Sequence, residues 1–209
     1  MVLNKLTVTA IFNLVEGMSK KTEYRAAENE YFHIYNRGVG RGKLFDSKEN
    51  YSFFLSKMGD AFIPSELKVI CYCLMPTHYH FVIQQLMKDA IARFTGVIGN
   101  GYAKAINKQR GTTGHVFESK YKIRHVDSEN YLLWLSRYVH RNPKEAHLVE
   151  RCVDWKYSSL YDLVGETKHA FVDAEVILSQ FTSVADYVRY VEDDTHRAPV
   201  GAEKYLFPE

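Results

Sequence analysis

Two imidazoles stand one residue apart in Met75-Pro76-Thr77-His78-Tyr79-His80-Phe81-Val82-Ile83, at the head of an apolar, β-branched and aromatic run. Such a run reads as a strand, whose side chains alternate in direction, so His78 and His80 project from one face while Tyr79 and Phe81 project from the other. Two imidazoles on one face make a two-point clamp for a metal ion. A mononuclear site asks for a third protein ligand, and the best candidate lies far downstream in Arg137-Tyr138-Val139-His140-Arg141-Asn142-Pro143. In a helix, Tyr138 and Asn142 sit one turn apart on the same face. A phenol beside a carboxamide oxygen suggests a nucleophile next to a metal ligand.

Other readings of the same residues stay open at this point. An isolated H-x-H pair does not define a metal site. Cys71 and Cys73, just upstream, offer a Cys₂His₂ zinc site, although their C-x-C spacing is unlike the usual knuckle pairs, and buried structural thiols fit better. Tyr121 is an alternative nucleophile or a base-stacking residue, with core packing the plainer role. His33, His115, His125 and His140 read as strand-face or helix-surface residues rather than ligands.

The elements that must position these groups follow from periodicity and punctuation. Tyr31 to Asn36 reads as a strand that runs into the glycine-rich turn Arg37-Gly38-Val39-Gly40-Arg41-Gly42. Asp46 or Ser47 caps a helix through about Phe62. Leu67 to Leu74 is a strand, Met75-Pro76-Thr77 turns the chain, and His78 to Gln85 returns antiparallel. A helix from about Lys88 to Asn107 buries Ile91, Phe94, Ile98, Tyr102 and Ile106. Gly96, Gly99 and Gly101 weaken that helix and mark a kink or a close backbone approach. His115 to Val126 reads as a strand carrying Lys120, Lys122 and Arg124 along one face. Asp127 caps a helix from about Ser128 to Asn142, which Pro143 ends. Trp155 to Tyr161 forms an aromatic anchor that packs back on the domain, and one or two short helices follow between about Asp173 and Asp193.

A chain of 209 residues with ordinary apolar content is long enough for a sizeable core and reads as one domain, residues 30–165, between an N-terminal extension (1–29) and a C-terminal helical extension and tail (166–209). Apolar runs fall short of a membrane span, no convincing signal peptide opens the chain, and three cysteines show no disulfide pattern. A cytoplasmic protein with no membrane partner is expected. Net charge is only +2. Its distribution is less even, since Lys104 to Arg151 holds ten bases against five acids. Lys120, Lys122, Arg124, Arg137 and Arg141 are therefore candidate contacts to a phosphate backbone, as is Arg37 in the glycine-rich turn that ends the first strand. The absence of a G-x-x-x-x-G-K-[ST] loop argues against ATP-driven chemistry.

Four segments in order, Tyr-Phe-His-Ile-Tyr-Asn-Arg-Gly, Cys-Leu-Met-Pro-Thr-His-Tyr-His, Gly-His-Val-Phe-Glu-Ser-Lys-Tyr-Lys and Tyr-Leu-Leu-Trp-Leu-Ser-Arg-Tyr-Val-His-Arg-Asn-Pro, resemble the IS200-like tyrosine transposases of the HUH superfamily, particularly their REP-associated relatives. The similarity runs from about Tyr31 to Val164. It implies a ferredoxin-like or RRM-like α/β (α+β) fold, an antiparallel sheet with helices packed mainly on one face and the HUH motif on a central strand. It implies Mg²⁺ or Mn²⁺ held by His78, His80 and Asn142, with Tyr138 as the nucleophile that forms a 5′-phosphotyrosine on single-stranded or hairpin DNA. The active form would be a monomer or a homodimer. Thr77 stands where Asn is common, Lys120 where Arg is common, and Arg141-Asn142-Pro143-Lys144 replaces a more apolar Leu-Asn-Pro-Val. A different class of function, a silent domesticated module that grips hairpin DNA or RNA, predicts binding without covalent linkage.

Overall fold

The computed structural model describes residues 27–165, 169–200 and 202. The N-terminal extension up to residue 26 and most of the final tail lie outside the described residues. Four antiparallel strands, β1 (Glu30–Arg37), β2 (Leu67–Leu74), β3 (His78–Gln85) and β4 (Lys122–Val126), form one sheet in the order β2-β3-β1-β4. This is the strand order of the expected ferredoxin-like sandwich, with His78 and His80 on β3, one of its two inner strands. Pro76 and Thr77 close the β2–β3 hairpin, where Met75 N donates to His78 O at 2.8 Å and His78 N to Met75 O at 3.3 Å. At the end of β1 the chain turns so tightly that a Cβ on Gly38 would overlap Gly42 O.

Cross-strand register assigns the faces. Tyr35 lies opposite His80, Arg37 opposite His78, Lys122 opposite Tyr35 and Arg124 opposite His33, and directly opposed residues share a face. One face therefore carries His33, Tyr35, Arg37, His78, His80, Lys122 and Arg124. The other presents Phe32, Ile34, Tyr72, Phe81 and Ile83, all fully buried under α1 (Lys48–Ala61) and α2 (Ala90–Arg110). The α2 helix continues through all three glycines. At Gly101 an added Cβ would stand 3.2 Å from the Lys57 side chain of α1, which is the close approach that its sequence announced.

The α3 helix (Glu129–Glu145) takes the β2–β3 part of the first face, burying Leu132, Leu135 and Val139 against Cys71, Cys73 and Val82. Its N-cap is Ser128, whose Oγ accepts from Tyr131 N, rather than Asp127. Pro143 lies inside the helix instead of ending it; it forgoes only the N–H that would reach Val139 O, and two residues follow before the helix stops. The strand expected from His115 begins only at Lys122, because residues 115–121 run as turns tied to the end of β1 by a Gly38–Phe117 bridge.

Three further helices, α4 (Ser159–Val164), α5 (Glu175–Leu178) and α6 (Val184–Glu192), pack around α3 and β2. The aromatic anchor packs as expected: Trp155 Nε1 donates to Leu74 O at 2.9 Å, and Tyr157 stacks on Tyr51 with ring centroids 3.7 Å apart. His140 is not a helix-surface residue. It is fully buried, with Nδ1 2.7 Å from Tyr187 OH and Nε2 2.7 Å from Ser159 Oγ, so one imidazole ties α3 to both α6 and α4.

Burial holds His140 far below the ordinary imidazole value, at about 3. The unfolded chain protonates this ring below about pH 6.5 and the folded chain does not, so its contribution to stability is intact above pH 6.5 and is lost as pH falls toward 3. With about 1.4 kcal/mol for each tenfold change, the loss is on the order of 5 kcal/mol. His140→Gln is expected to flatten the acid limb of a plot of Tm against pH; parallel limbs for variant and wild type would contradict this account.

Candidate active site

His78 opens β3 and is partly exposed, whereas His80 is enclosed. Their rings lie nearly perpendicular, with centroids 5.0 Å apart. Burial lowers His78 to about 4, helped by the nearby Arg37 charge and opposed by a hydrogen bond with the Asn142 side chain. Burial, then the neighbouring His78 and His33, hold His80 well below its usual value. Both rings are thus neutral at pH 7 and keep a lone pair for a Lewis acid.

The α3 helix brings the other two groups to them. The Tyr138 ring stacks on Trp134, centroids 5.6 Å apart, and meets His80 edge-on at 5.7 Å and His33 at 6.4 Å. Asn142 Nδ2 donates to Tyr138 O at 2.8 Å, and the carboxamide also hydrogen-bonds His78 in the sense that favours the protonated ring, as an oxygen acceptor does. Two imidazoles from β3 and a phenol and an amide from one turn of α3 therefore converge within a single chain. The phenol is partly exposed, so a substrate can reach it.

Among the described residues, no three His, Cys, Asp or Glu side chains are grouped as a metal site. A mononuclear cation here would take two neutral imidazoles and the Asn142 amide oxygen, a set compatible with Mn²⁺ or Mg²⁺ and with water or a phosphate filling the remaining positions. The zinc alternative does not assemble: Cys71, Cys73 and Cys152 are free and buried. Desolvation raises the first two thiols strongly and Cys152 to about 12.

The basic residues divide. Lys122 and Arg124 are exposed on β4, on the same sheet face as His80. Arg37 lies beside His78 and pairs through Nε and Nη2 with Glu118. Lys120 precedes the strand rather than alternating along it, and lines a cleft of about 580 Å³ between α2 and residues 114–121, together with Tyr79 of the opposite face. Arg137 and Arg141, expected to grip phosphate, are only 6% and 8% exposed. Arg137 Nε donates to Tyr190 O at 3.0 Å and its Nη2 to Asp193 O. Arg141 donates to Val191 O at 3.0 Å, to Glu145 at 2.7 Å and to Asp194 at 2.6 Å. The last carbonyls of a helix have no partners within it and carry its negative pole, so the end of α6 claims both guanidiniums. The acidic run Glu192-Asp193-Asp194 was the available signal. His33, read as a plain strand residue, is fully buried with Nε2 2.9 Å from His80 Nδ1.

A family model described as IS200-like transposase matches residues 26–142. The chain belongs to the IS200-like transposases. The matched span runs from just before β1 to Asn142, and so contains His78, His80, Tyr138 and Asn142. Among solved structures, a REP-associated tyrosine transposase bound to a REP hairpin superposes with a TM-score of 0.54 at 13% identity, covering 71% of this transposase and 93% of that chain; at that identity the likeness is one of fold. A bacterial tRNA(His) guanylyltransferase-like protein in complex with GTP aligns at 10% identity over 66% of this chain and 76% of its own, with a TM-score of 0.38, too low to bear on the argument. No curated protein sequence matches significantly. Among the described residues of the transposase, no helix is long and apolar enough to cross a membrane.

Since Arg141 sits in the fold rather than on its surface, Arg141→Ala is expected to cost roughly 2–4 kcal/mol, because helix-end carbonyls and two carboxylates lose a charged donor. Urea unfolding measures this. A variant as stable as wild type would return Arg141 to the solvent face.

Proposed function

We propose that this transposase cleaves and rejoins single-stranded DNA at hairpin-bearing ends, with Tyr138 as nucleophile and His78, His80 and Asn142 as ligands of a divalent cation, Mg²⁺ or Mn²⁺. The docking of α3 onto β3 carries this reading, because it joins a phenol and an amide to two neutral imidazoles that lie some sixty residues earlier in the chain. All four meet within one chain, so this reading needs no residue from a second copy. Residues 30–165 form the nuclease domain in this reading, and the chain after it braces α3.

Tyr138 gives up its proton and attacks the scissile phosphorus through Oη. The P–O3′ bond breaks, the leaving 3′-oxygen takes a proton, and a 5′-phosphotyrosyl ester remains. Attack on that ester by a free 3′-hydroxyl reverses the step and restores the phenol, so rejoining needs no nucleotide cofactor. A cation held by His78, His80 and Asn142 would act as a Lewis acid on a phosphate oxygen and help align the phosphorus with the nucleophile. Trp134 stacks along Tyr138 and limits the swing of the phenol. His78 and His80 stay neutral, so the ligand set adds no negative charge that would repel the phosphate. Lys122 and Arg124, beside the site on the open part of the sheet, supply the positive surface for the strand backbone, and Arg37 adds charge next to His78.

Incubation with Mn²⁺ and a labelled hairpin carrying a single-stranded flank should give cleaved product and a covalent adduct that survives denaturing electrophoresis. Tyr138→Phe should abolish both while retaining DNA binding. Cleavage by that variant at the wild-type rate would remove Tyr138 from the chemistry, and binding without adduct on every hairpin would favour the silent module. For affinity, Lys122→Ala and Arg124→Ala are each expected to reduce the slope of log K against log salt by about 0.7, one phosphate contact on a single strand. Unchanged slopes would place the DNA path elsewhere.

A further inference from the structure

His80 does not approach the site alone. His33 of β1, on the same sheet face, is fully buried, and its Nε2 lies 2.9 Å from His80 Nδ1, with the two rings 20° from parallel and their centroids 5.1 Å apart. The Tyr35 ring flanks His33 at 4.9 Å. His78 is engaged similarly, since its Nδ1 is 3.0 Å from Thr77 Oγ1. His80 is thus engaged at Nδ1, so Nε2 is the nitrogen through which it would meet a cation.

Only one hydrogen fits between His33 Nε2 and His80 Nδ1, and its location decides what His80 can do. Carried by His80 Nδ1, it leaves a lone pair on His80 Nε2. Carried by His33 Nε2, it forces a neutral His80 to hold its own hydrogen on Nε2, where it excludes a metal ion. Metal-bound histidines commonly donate their second ring nitrogen to an acceptor that fixes tautomer and orientation. A leucine at position 33 would fill the space between strands without desolvating a polar ring, so a buried imidazole here is costly unless its nitrogen is used.

We propose that His33 is a positioning residue for the cation site: neutral, with its hydrogen on Nδ1, it accepts from His80 Nδ1–H and holds His80 as an Nε2 donor. This rests on the reading of His78, His80 and Asn142 as metal ligands. His33 itself touches neither the cation nor the DNA in this assignment and acts only through His80.

Two measurements test it without relying on turnover. In metal-free wild-type protein, long-range ¹H–¹⁵N correlations of the histidine rings should show the His80 hydrogen on Nδ1. Titration calorimetry with Mn²⁺ alone should show binding weakened about 10–100-fold in His33→Leu, the range typical of losing such a partner. His33→Gln, whose Oε1 can accept in place of Nε2, should bind within a few-fold of wild type. A His80 hydrogen on Nε2, or a folded His33→Leu with wild-type Mn²⁺ affinity, overturns the assignment while leaving the nuclease reading intact. If His33→Leu does not fold, the ring tautomer and the Gln variant decide, and a Gln variant that folds but binds Mn²⁺ more than tenfold weaker counts against an acceptor role. Wild-type protein that takes up no Mn²⁺ overturns the metal reading together with this one, whereas loss of the adduct in Tyr138→Phe bears on neither.

Discussion

The rotational setting of α3 on the sheet is the constraint on which the site depends. An apolar stripe on an apolar sheet buries much the same area after a small roll or slide, so Leu132, Leu135 and Val139 hold the helix down without fixing its azimuth. A roll of one residue, 100° on a helix, would carry Tyr138 away from His80. Directional contacts on the far side of the helix remove that freedom. His140 reaches Tyr187 and Ser159, Tyr187 OH donates to Ser136 Oγ at 3.1 Å, and Arg137 and Arg141 enter the end of α6. Each is a buried polar group whose hydrogen bonds exist in one orientation only, which is the circumstance in which burial of polarity contributes specificity.

The sheet provides the opposite face of the same arrangement. Pairing of β1 with β3 sets His33, Tyr35 and Arg37 beside Val82, His80 and His78, and a slip of one residue would turn every one of them to the other face. The enclosed environment keeps the imidazoles neutral, so charging them with acid would oppose the fold. In the proposed reading, neutral ligands suit an anionic substrate: a cation between two imidazoles and an amide would keep its charge for phosphate, and exposed Lys122 and Arg124 would extend that field along β4.

Much of this was legible in the chain. The β2–β3 hairpin, the shared face of His78 and His80, the helical spacing of Tyr138 and Asn142 and the buried stripe of α2 all follow from local periodicity, and local periodicity is what the fold obeys there. The failures have a common origin in distant partners. Alternation puts Lys120 on a strand, but residues 115–121 follow Gly114 at φ 107° and are diverted by the bridge to Gly38. Arg137 and Arg141 looked like a basic surface because the carbonyls that accept from them lie some fifty residues downstream. His33 and His140 looked ordinary for the same reason. An isolated histidine in a strand or helix gives no sign of what will pack on it, and each became informative only when a second element closed over it.

The family match ends at Asn142, the proposed third ligand, and what locks α3 from behind begins beyond it. Ser159, Tyr187, the carbonyls of Tyr190, Val191 and Asp193, and the Asp194 carboxylate all belong to the later chain. The chemistry-bearing residues and the residues that aim them are therefore separable in sequence but not in structure. Arg141 shows the junction most clearly. Its side chain is buried, and an uncompensated guanidinium there would cost on the order of several kcal/mol. The end of α6 offsets that cost with carbonyls and with Asp194, so an arginine in the motif and an acidic helix end fifty residues later form one device. A charge that seemed placed for DNA instead fastens the helix that carries the proposed nucleophile.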